Sequence, residues 1–418
     1  MAVRSNQWVV AVSLPIVAAQ AHAEDSIGYT HETYSEDHGR MEVQTESIRA
    51  SARLSPLLDI TVRGVYDGIS GATPIVAPPI DQLRLRRPGT HELIPPATIV
   101  GFNRNLDGVG GASPTAQAVP HNTIPLAQSQ DIRRGFEIAP GFTIGSHHLV
   151  PQFNYSGEND YVSWAGAIND TWELNNKNTL LNFGWSHSYD RVLNTPFTYI
   201  NHRQIKNSDD FVLGVSQLLT PGTVLNVNGT IGHVEGYLND PYRSVVFEEA
   251  GLDPNARVLL RGEQRPQTRD TQALLLSLTQ AVPKLHASIE GSYRYYHDSY
   301  GIIANTAELT WFQKLGSVLV VSPSFRYYRQ QAAHFYGTQF PGDPVNDPRR
   351  APRFYSADYR LSFLEAFTVG LQTNIKLQDA LDLHLGYQRY WMRGLDHLTL
   401  QSTYPSANIF SIGLTFTY

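Results

Sequence analysis

Hydrophobic and polar positions alternate one by one in long runs along this chain. From Asn408 to Tyr418, Phe410, Ile412, Leu414, Phe416 and Tyr418 share one parity, and Ile409, Ser411, Gly413, Thr415 and Thr417 share the other. Strict alternation puts each set on one face of an extended strand. The same device recurs in other stretches. Leu285, Ala287, Ile289, Gly291, Tyr293 and Tyr295 alternate with Ser288, Glu290, Ser292 and Arg294, and Leu225, Val227 and Ile231 alternate with Asn226, Asn228 and Thr230. Leu319, Val321, Phe325 and Tyr327 stand against Ser322, Ser324 and Arg326, and Leu381, Leu383, Leu385 and Tyr387 against Asp382, His384 and Gln388. Strands of a soluble sandwich alternate too, but they are usually about 5–6 residues long. These run well past that, with one face suited to lipid and the other to water.

Turn signals divide the runs. Short connectors such as Ser55-Pro56, Gly145-Ser146, Asn175 to Lys177, Thr220 to Gly222, Val282-Pro283, Gly316 and Gln378 to Ala380 occupy alternate junctions, and long ones fall between them. The long connections are Ser70 to Gln130, Asp190 to Gln204, Asn239 to Pro266, Ala332 to Arg353 and Leu395 to Pro405. Short turns on one side and long loops on the other are the asymmetry of an outer-membrane barrel. Strands are expected to start near Ser26, Arg40, Leu57, Asp131, His147, Asp160, Asn178, Lys206, Thr223, Thr268, Lys284, Gly301, Ser317, Phe354, Leu381 and Ser406. The fold expected is therefore all-β, a transmembrane antiparallel barrel of about 16 strands with both ends periplasmic. Phe354 to Leu377 reads as one long strand protruding beyond the membrane, and a phase slip between Val43 and Ile48 suggests a bulge. Asp170 shares the lipid parity of Trp164, Ile168 and Trp172, which places it near the interface or beside a bulge.

The first residues add an address. One cation, Arg4, precedes an apolar stretch from Trp8 to Ala19 and the small-x-small run Ala21-His22-Ala23. Cleavage between Ala23 and Glu24 is expected, since the stretch is shorter than the roughly 18 residues that span a bilayer. Residues 24–418 would then form a single barrel domain. Mean hydropathy is slightly polar, as alternating strands require. Aromatic residues make up 11% of the chain, led by Tyr, which suits a membrane interface. The net charge of −6 argues against nucleic acid, and with no cysteine the chain can carry neither a lipid-modified Cys nor a c-type haem. Its expected partners are outer-membrane lipid and the machinery that assembles such barrels, in the outer membrane of a Gram-negative cell.

Five stretches carry a resemblance. They are Tyr66 to Pro74 (YDGISGATP), Gly236 to Tyr242 (GYLNDPY), Tyr293 to Asp298 (YRYYHD), Phe325 to Ala333 (FRYYRQQAA) and Ser356 to Ser362 (SADYRLS). Together they resemble the outer-membrane family labelled domain of unknown function 3570, over nearly the whole mature chain. The resemblance supports the fold and the compartment and transfers no mechanism. It implies, through the company such proteins keep, a redox or flavinylation setting, in which a periplasmic redox protein would be the partner and would hold any electron carrier.

The water-facing parity collects Arg49, Arg53, Asp59, Arg63, Asp67, Arg133, Glu137, Glu290, Arg294, Glu308, Arg326, Asp358, Arg360, Asp382 and His384. In a water-filled pore, opposed rows of charge select small charged solutes; in a filled barrel the same groups neutralise one another. The 70–130 connection, far beyond an ordinary loop, either folds inward as a constriction through Arg84, Arg86 and Arg87 or lies on the surface. Gly108 to Gly111 could form an anion nest or a plain turn. Two readings follow: a porin-like channel for small polar or charged solutes, and a scaffold that docks a redox partner. No enzyme, cofactor or metal is expected. Gly68 to Gly71 lacks the spacing and context of a nucleophile elbow, and His147-His148 and Asp209-Asp210 put adjacent side chains on opposite faces. Asp343, Asn346 and Asp347 read either as a calcium loop or as a simple turn.

Overall fold

A computed structural model describes residues 25–74, 85–86, 93–94, 126–193, 204–248, 258–345 and 347–418. The early strands are β1 (Ser26–Glu36), β2 (Met41–Ser55), β3 (Leu58–Pro74), β4 (Leu85–Arg86), β5 (Leu93–Ile94), β6 (Leu126–Ile144) and β7 (His147–Gly157). The middle of the chain supplies β8 (Tyr161–Leu174), β9 (Thr179–Val192), β10 (Gln204–Thr220), β11 (Thr223–Gly236), β12 (Ser244–Glu248), β13 (Val258–Gly262) and β14 (Thr268–Val282). Then follow β15 (Ala287–Asp298), β16 (Ile303–Leu315), β17 (Leu319–Gln330), β18 (Gln339–Pro341), β19 (Leu364–Gln378), β20 (Leu381–Gly394) and β21 (Ser406–Thr417). Sixteen of them close a barrel in the order β1-β2-β3-β6-β7-β8-β9-β10-β11-β14-β15-β16-β17-β19-β20-β21. Closure is made by the antiparallel pairing of β21 with β1, from Ser26 opposite Thr417 to Glu36 opposite Ala407.

The barrel wears its apolar residues outside. Ile48, Leu54, Phe136, Phe183, Leu213, Ile231, Leu276, Leu309, Leu371, Phe410 and Ile412 are all exposed on the outer parity. In water such a surface would be intolerable, because each such side chain gains about 1.5–3 kcal/mol on leaving water. Facing lipid it is the source of stability, and closure leaves no unpaired edge in the bilayer. The protein is an outer-membrane β-barrel. Aromatic rings mark the interfaces: Tyr155, Trp164 and Tyr189 line up across neighbouring strands with centroids 5.9 and 6.2 Å apart, and at the other rim His147 stacks on Trp172 at 5.2 Å.

The periplasmic turns are tight because their residues accept positive φ. Asn175, Asn176 and Lys177 take φ of 50°, 53° and 68° in succession between β8 and β9, a conformation that Asn tolerates better than most side chains. The other rim is built up instead. β3 and β6 stay paired out to Pro74 opposite Leu126, so the longest connection spans 75–125 rather than 70–130. β12, β13 and β18 form a small sheet of their own from the long loops.

Two expectations are corrected, and of the two placements open to Asp170 the interfacial one holds. The segment 354–363 is not strand: β19 begins at Leu364, and Tyr359–Leu361 is a single 3-10 turn whose N-cap, Asp358, accepts from the Arg360 amide. Tyr359 and Leu361 are apolar at strand spacing because each fills a loop cluster, against Tyr404 and against Tyr300 and Ile302 respectively. No bulge interrupts β2 between Val43 and Ile48, where its pairing with both neighbours is continuous; the slip arises because Glu46 faces outward to meet Tyr29 and His31. Asp170 sits close to the periplasmic turn and bonds His147 Nδ1 at 2.8 Å, an interfacial pair without a bulge.

Candidate functional site

Alternation against the exposed outer residues turns Arg49, Arg53, Arg63, Asp67, Arg133, Glu137, Glu290, Arg294, Glu308, Arg326 and His384 toward the barrel interior. Register then decides their neighbours. Asp67 lies opposite Arg133 on β3 and β6 and the two form a buried ion pair. Arg49, Arg63 and Glu137 form one row across β2, β3 and β6. His148 reaches Asp59 at 3.4 Å, and Lys206 reaches Asp190 at 2.8 Å. Glu290 accepts from Thr279 Oγ1 at 3.2 Å, and Arg294 lies 5.3 Å over the Tyr296 ring. His384 bridges Asn374 at 2.8 Å and Thr415 at 3.1 Å. Glu308 and Arg326 are 3.9 Å apart with side chains 45% and 47% exposed, inside the barrel wall. Arg49 and Arg53 are exposed there as well. Part of the interior wall is therefore left uncovered by neighbouring side chains. Of the proposed constriction residues, Arg84 and Arg87 lie outside the described residues, and only the backbone of Arg86 is described, in β4; Ala23 and Glu24 lie outside them too.

Asp358 and Arg360 do something different from lining a strand. They belong to the 331–363 loop, which folds over the extracellular mouth and meets the loop after β11. Arg360 Nε bonds both Asp358 oxygens at 2.8 and 2.9 Å, and its Nη2 reaches Asp240 at 2.5 Å. Arg265 joins Asp358 at 2.8 Å and Glu263 at 2.7 Å. Arg243 stands 3.5 Å from Asp240 and 3.8 Å from Asp358. Three arginines thus face three carboxylates in a neutral knot, with the Asp358 and Glu263 side chains 1% and 0% exposed.

The charges in the knot hold one another. Burial works to raise the Asp358 carboxyl, but Arg360, Arg243 and Arg265 outweigh it and keep it well below the ordinary range. Burial likewise works against the charged Arg265, and Glu263 and Asp358 more than offset it. Glu263 moves the other way: its burial prevails over Arg265 and its carboxyl is raised. The knot is tied to the barrel. Gln330, the last residue of β17, donates to the carbonyls of Arg360 at 2.8 Å and Ser362 at 2.9 Å. Tyr359 packs edge-on against Tyr404 at 5.6 Å, under Arg243 at 5.3 Å. Arg40, before β2, donates to the carbonyls of Ser402 and Thr403 at 2.9 and 3.1 Å.

Sequence reasoning missed this lid, although Asp240, Asp358 and Arg360 all lie in stretches it singled out. It also missed the acidic trio of Asp131, Glu158 and Asp160 at the extracellular ends of β6 to β8, whose oxygens lie within 4.8 Å of one another. Burial, and then the charge of Asp160, push Glu158 up to about 7. These three have the chemistry to hold a hard cation, but Asp131 is already engaged by Asn159 Nδ2 at 2.7 Å and the Ile132 amide at 2.8 Å. The proposed calcium loop is likewise spoken for, since Arg261 clasps both oxygens of Asp343 at 3.0 and 3.1 Å; Asn346 lies outside the described residues. His147 and His148 diverge to opposite faces, as do Asp209, which bonds Trp185 outside at 3.2 Å, and the buried Asp210.

Among solved structures, the chain is similar to a bacterial polysaccharide outer membrane secretin at 8% identity and TM-score 0.44, covering 95% of this chain and 99% of that one. It is similar to OccD3 (OpdP) of Pseudomonas aeruginosa at 9% identity and TM-score 0.43, covering 94% and 91%. A loop-deletion form of the outer membrane protein OmpT of Vibrio cholerae gives 7% identity and TM-score 0.43, covering 94% and 98%. No curated protein matches the sequence. The family described as "Protein of unknown function (DUF3570)" matches residues 8–405, and the chain, a closed barrel with a latched extracellular lid, belongs to it.

Proposed function

We propose that this protein is a porin-like channel for small polar or charged solutes, with an extracellular mouth narrowed by the knotted loops. The observation that carries this reading is the Glu308–Arg326 pair, which faces inward on adjacent strands and is nevertheless about half exposed. A barrel filled by its own side chains would bury such a pair. At 16 strands a barrel is wide enough for an aqueous lumen, and on the inward parity of β9 to β11 the hydrogen-bonding side chains of Ser186, Ser216, Asn228 and Thr230 are partly exposed. Interior charges of both signs would orient a dipolar or ionic solute along the wall.

Single-channel recording on the mature chain in planar bilayers tests this, beside a variant lacking residues 77–127. Steady conductance in the intact protein is expected. Silence of both folded proteins would sink the channel and favour a docking barrel for a partner protein.

A further inference from the structure

The outer face of β17, β19 and β20 carries a row of charge where the bilayer interface should lie. Arg329, Glu365 and Arg393 stand opposite one another across the three strands. Both oxygens of Glu365 are taken, one by Arg393 and the other by the Tyr327 hydroxyl at 2.9 Å. Glu365 is 7% exposed, whereas Arg393 is 60% exposed. Arg329 lies 5.2 Å over the Phe363 ring, and among the described residues no carboxylate pairs with it. Two cations against one anion leave a surplus positive charge.

The surroundings of the row are graded by depth. The next outward row is aromatic, Tyr327, Phe367 and Trp391, with the first two rings 5.0 Å apart. Below it the surface is mostly apolar, and a groove of about 380 Å³ opens between Leu371, Leu385, Tyr387, Phe410 and Ile412, with Gly386 and the polar side chain of His31 also in its lining. Leu371 is six residues further along β19 than Glu365, or about 20 Å of strand at ~3.3 Å per residue. With a strand tilt of ~40°, that is a descent of about 15 Å, half the thickness of a hydrocarbon core. Elsewhere on this rim the outward face carries His–carboxylate pairs, His187 with Asp209 and His233 with Asp270.

We propose that this face is a binding site for a phosphorylated lipid of the outer leaflet. Its phosphate sits on Arg393 and Arg329, its glycan or glycerol backbone lies over the aromatic row, and one acyl chain occupies the groove. Lipid is the occupant because the site lies on the bilayer-facing wall and joins a surplus cation to an acyl-sized groove deeper along the same strands. Arginine suits the headgroup because its fork presents paired donors to phosphate oxygens.

Native mass spectrometry of the full mature barrel, delipidated in detergent and titrated with diphosphoryl lipid A, tests this. Dephosphorylated lipid A and inorganic phosphate serve as the comparison probes. Preferential retention of the diphosphoryl form is expected, together with a loss of about tenfold in affinity in the Arg329→Ala/Arg393→Ala variant. The slower gel migration of the boiled barrel would report that the variant is folded. Should that variant fail to fold, Glu365→Gln decides: it raises the surplus charge and is expected to bind the diphosphoryl lipid at least as tightly as the wild type. Equal retention of both lipids, weaker binding by Glu365→Gln, or displacement of the lipid by millimolar inorganic phosphate would overturn the assignment.

Discussion

The lumen wall and the lid use the same residues to opposite ends. On the wall, Glu308 and Arg326 meet across two strands with both side chains about half in solvent. In the lid, Asp358 meets Arg243, Arg265 and Arg360 with 1% of its side chain exposed. A pair that keeps its water is weakly held and its field is available to a passing solute. A buried group that has lost its water depends on its partners, so removing one partner leaves an uncompensated charge. The difference shows that charge in this barrel has two roles, set by depth and by loop contact rather than by residue type.

The largest effect should come from breaking the knot. Asp358→Ala leaves three arginines facing only Asp240 and Glu263, and a loss of about 3–5 kcal/mol from the lid is expected, read as faster proteolysis within residues 331–363 while the barrel itself stays folded. Acid should imitate the substitution. The Asp358 carboxyl is depressed in the folded state, so its contribution is complete above its unfolded value of 3.8 and declines as pH falls below that. Glu263, raised by burial, works in the opposite sense. Lid protection that is constant from pH 7 to pH 2 would contradict the latch.

On the wall, Glu308→Gln should shift permeability toward anions and Arg326→Gln toward cations. Each shift should be about twofold, as fits one screened charge in water, and measurable as reversal potential across a salt gradient. Shifts of the same sign in both variants would mean that the pair does not face the conducting path. A separate effect, on stability rather than conduction, concerns Glu158, whose folded value of about 7 lies above its unfolded 4.5. Stability held below 4.5 is lost as pH rises through 7, so Glu158→Gln should stabilise the protein at pH 8 by on the order of 1 kcal/mol, read as a higher melting temperature, and leave it unchanged at pH 4. An equal gain at both pH values would point to packing instead.

The barrel was legible in the residue pattern alone. Period-two alternation, short turns at every second junction and the interfacial aromatics each follow from local rules, since a strand exposed to lipid on one face must repeat every two residues. Those rules also placed Glu308 and Arg326 on the inner face. They failed at Tyr359 and Leu361, where loop residues fall at strand spacing because two separate clusters happen to need them, and at Glu46, an outward carboxylate held by hydrogen bonds with Tyr29 and His31. The lid, the acidic trio and the arginine row emerge only from long-range pairing. Asp240 and Arg360 are 120 positions apart, and Arg329, Glu365 and Arg393 become neighbours only through register. No local periodicity encodes such pairings, because they are settled when the barrel closes and brings its loops over one mouth.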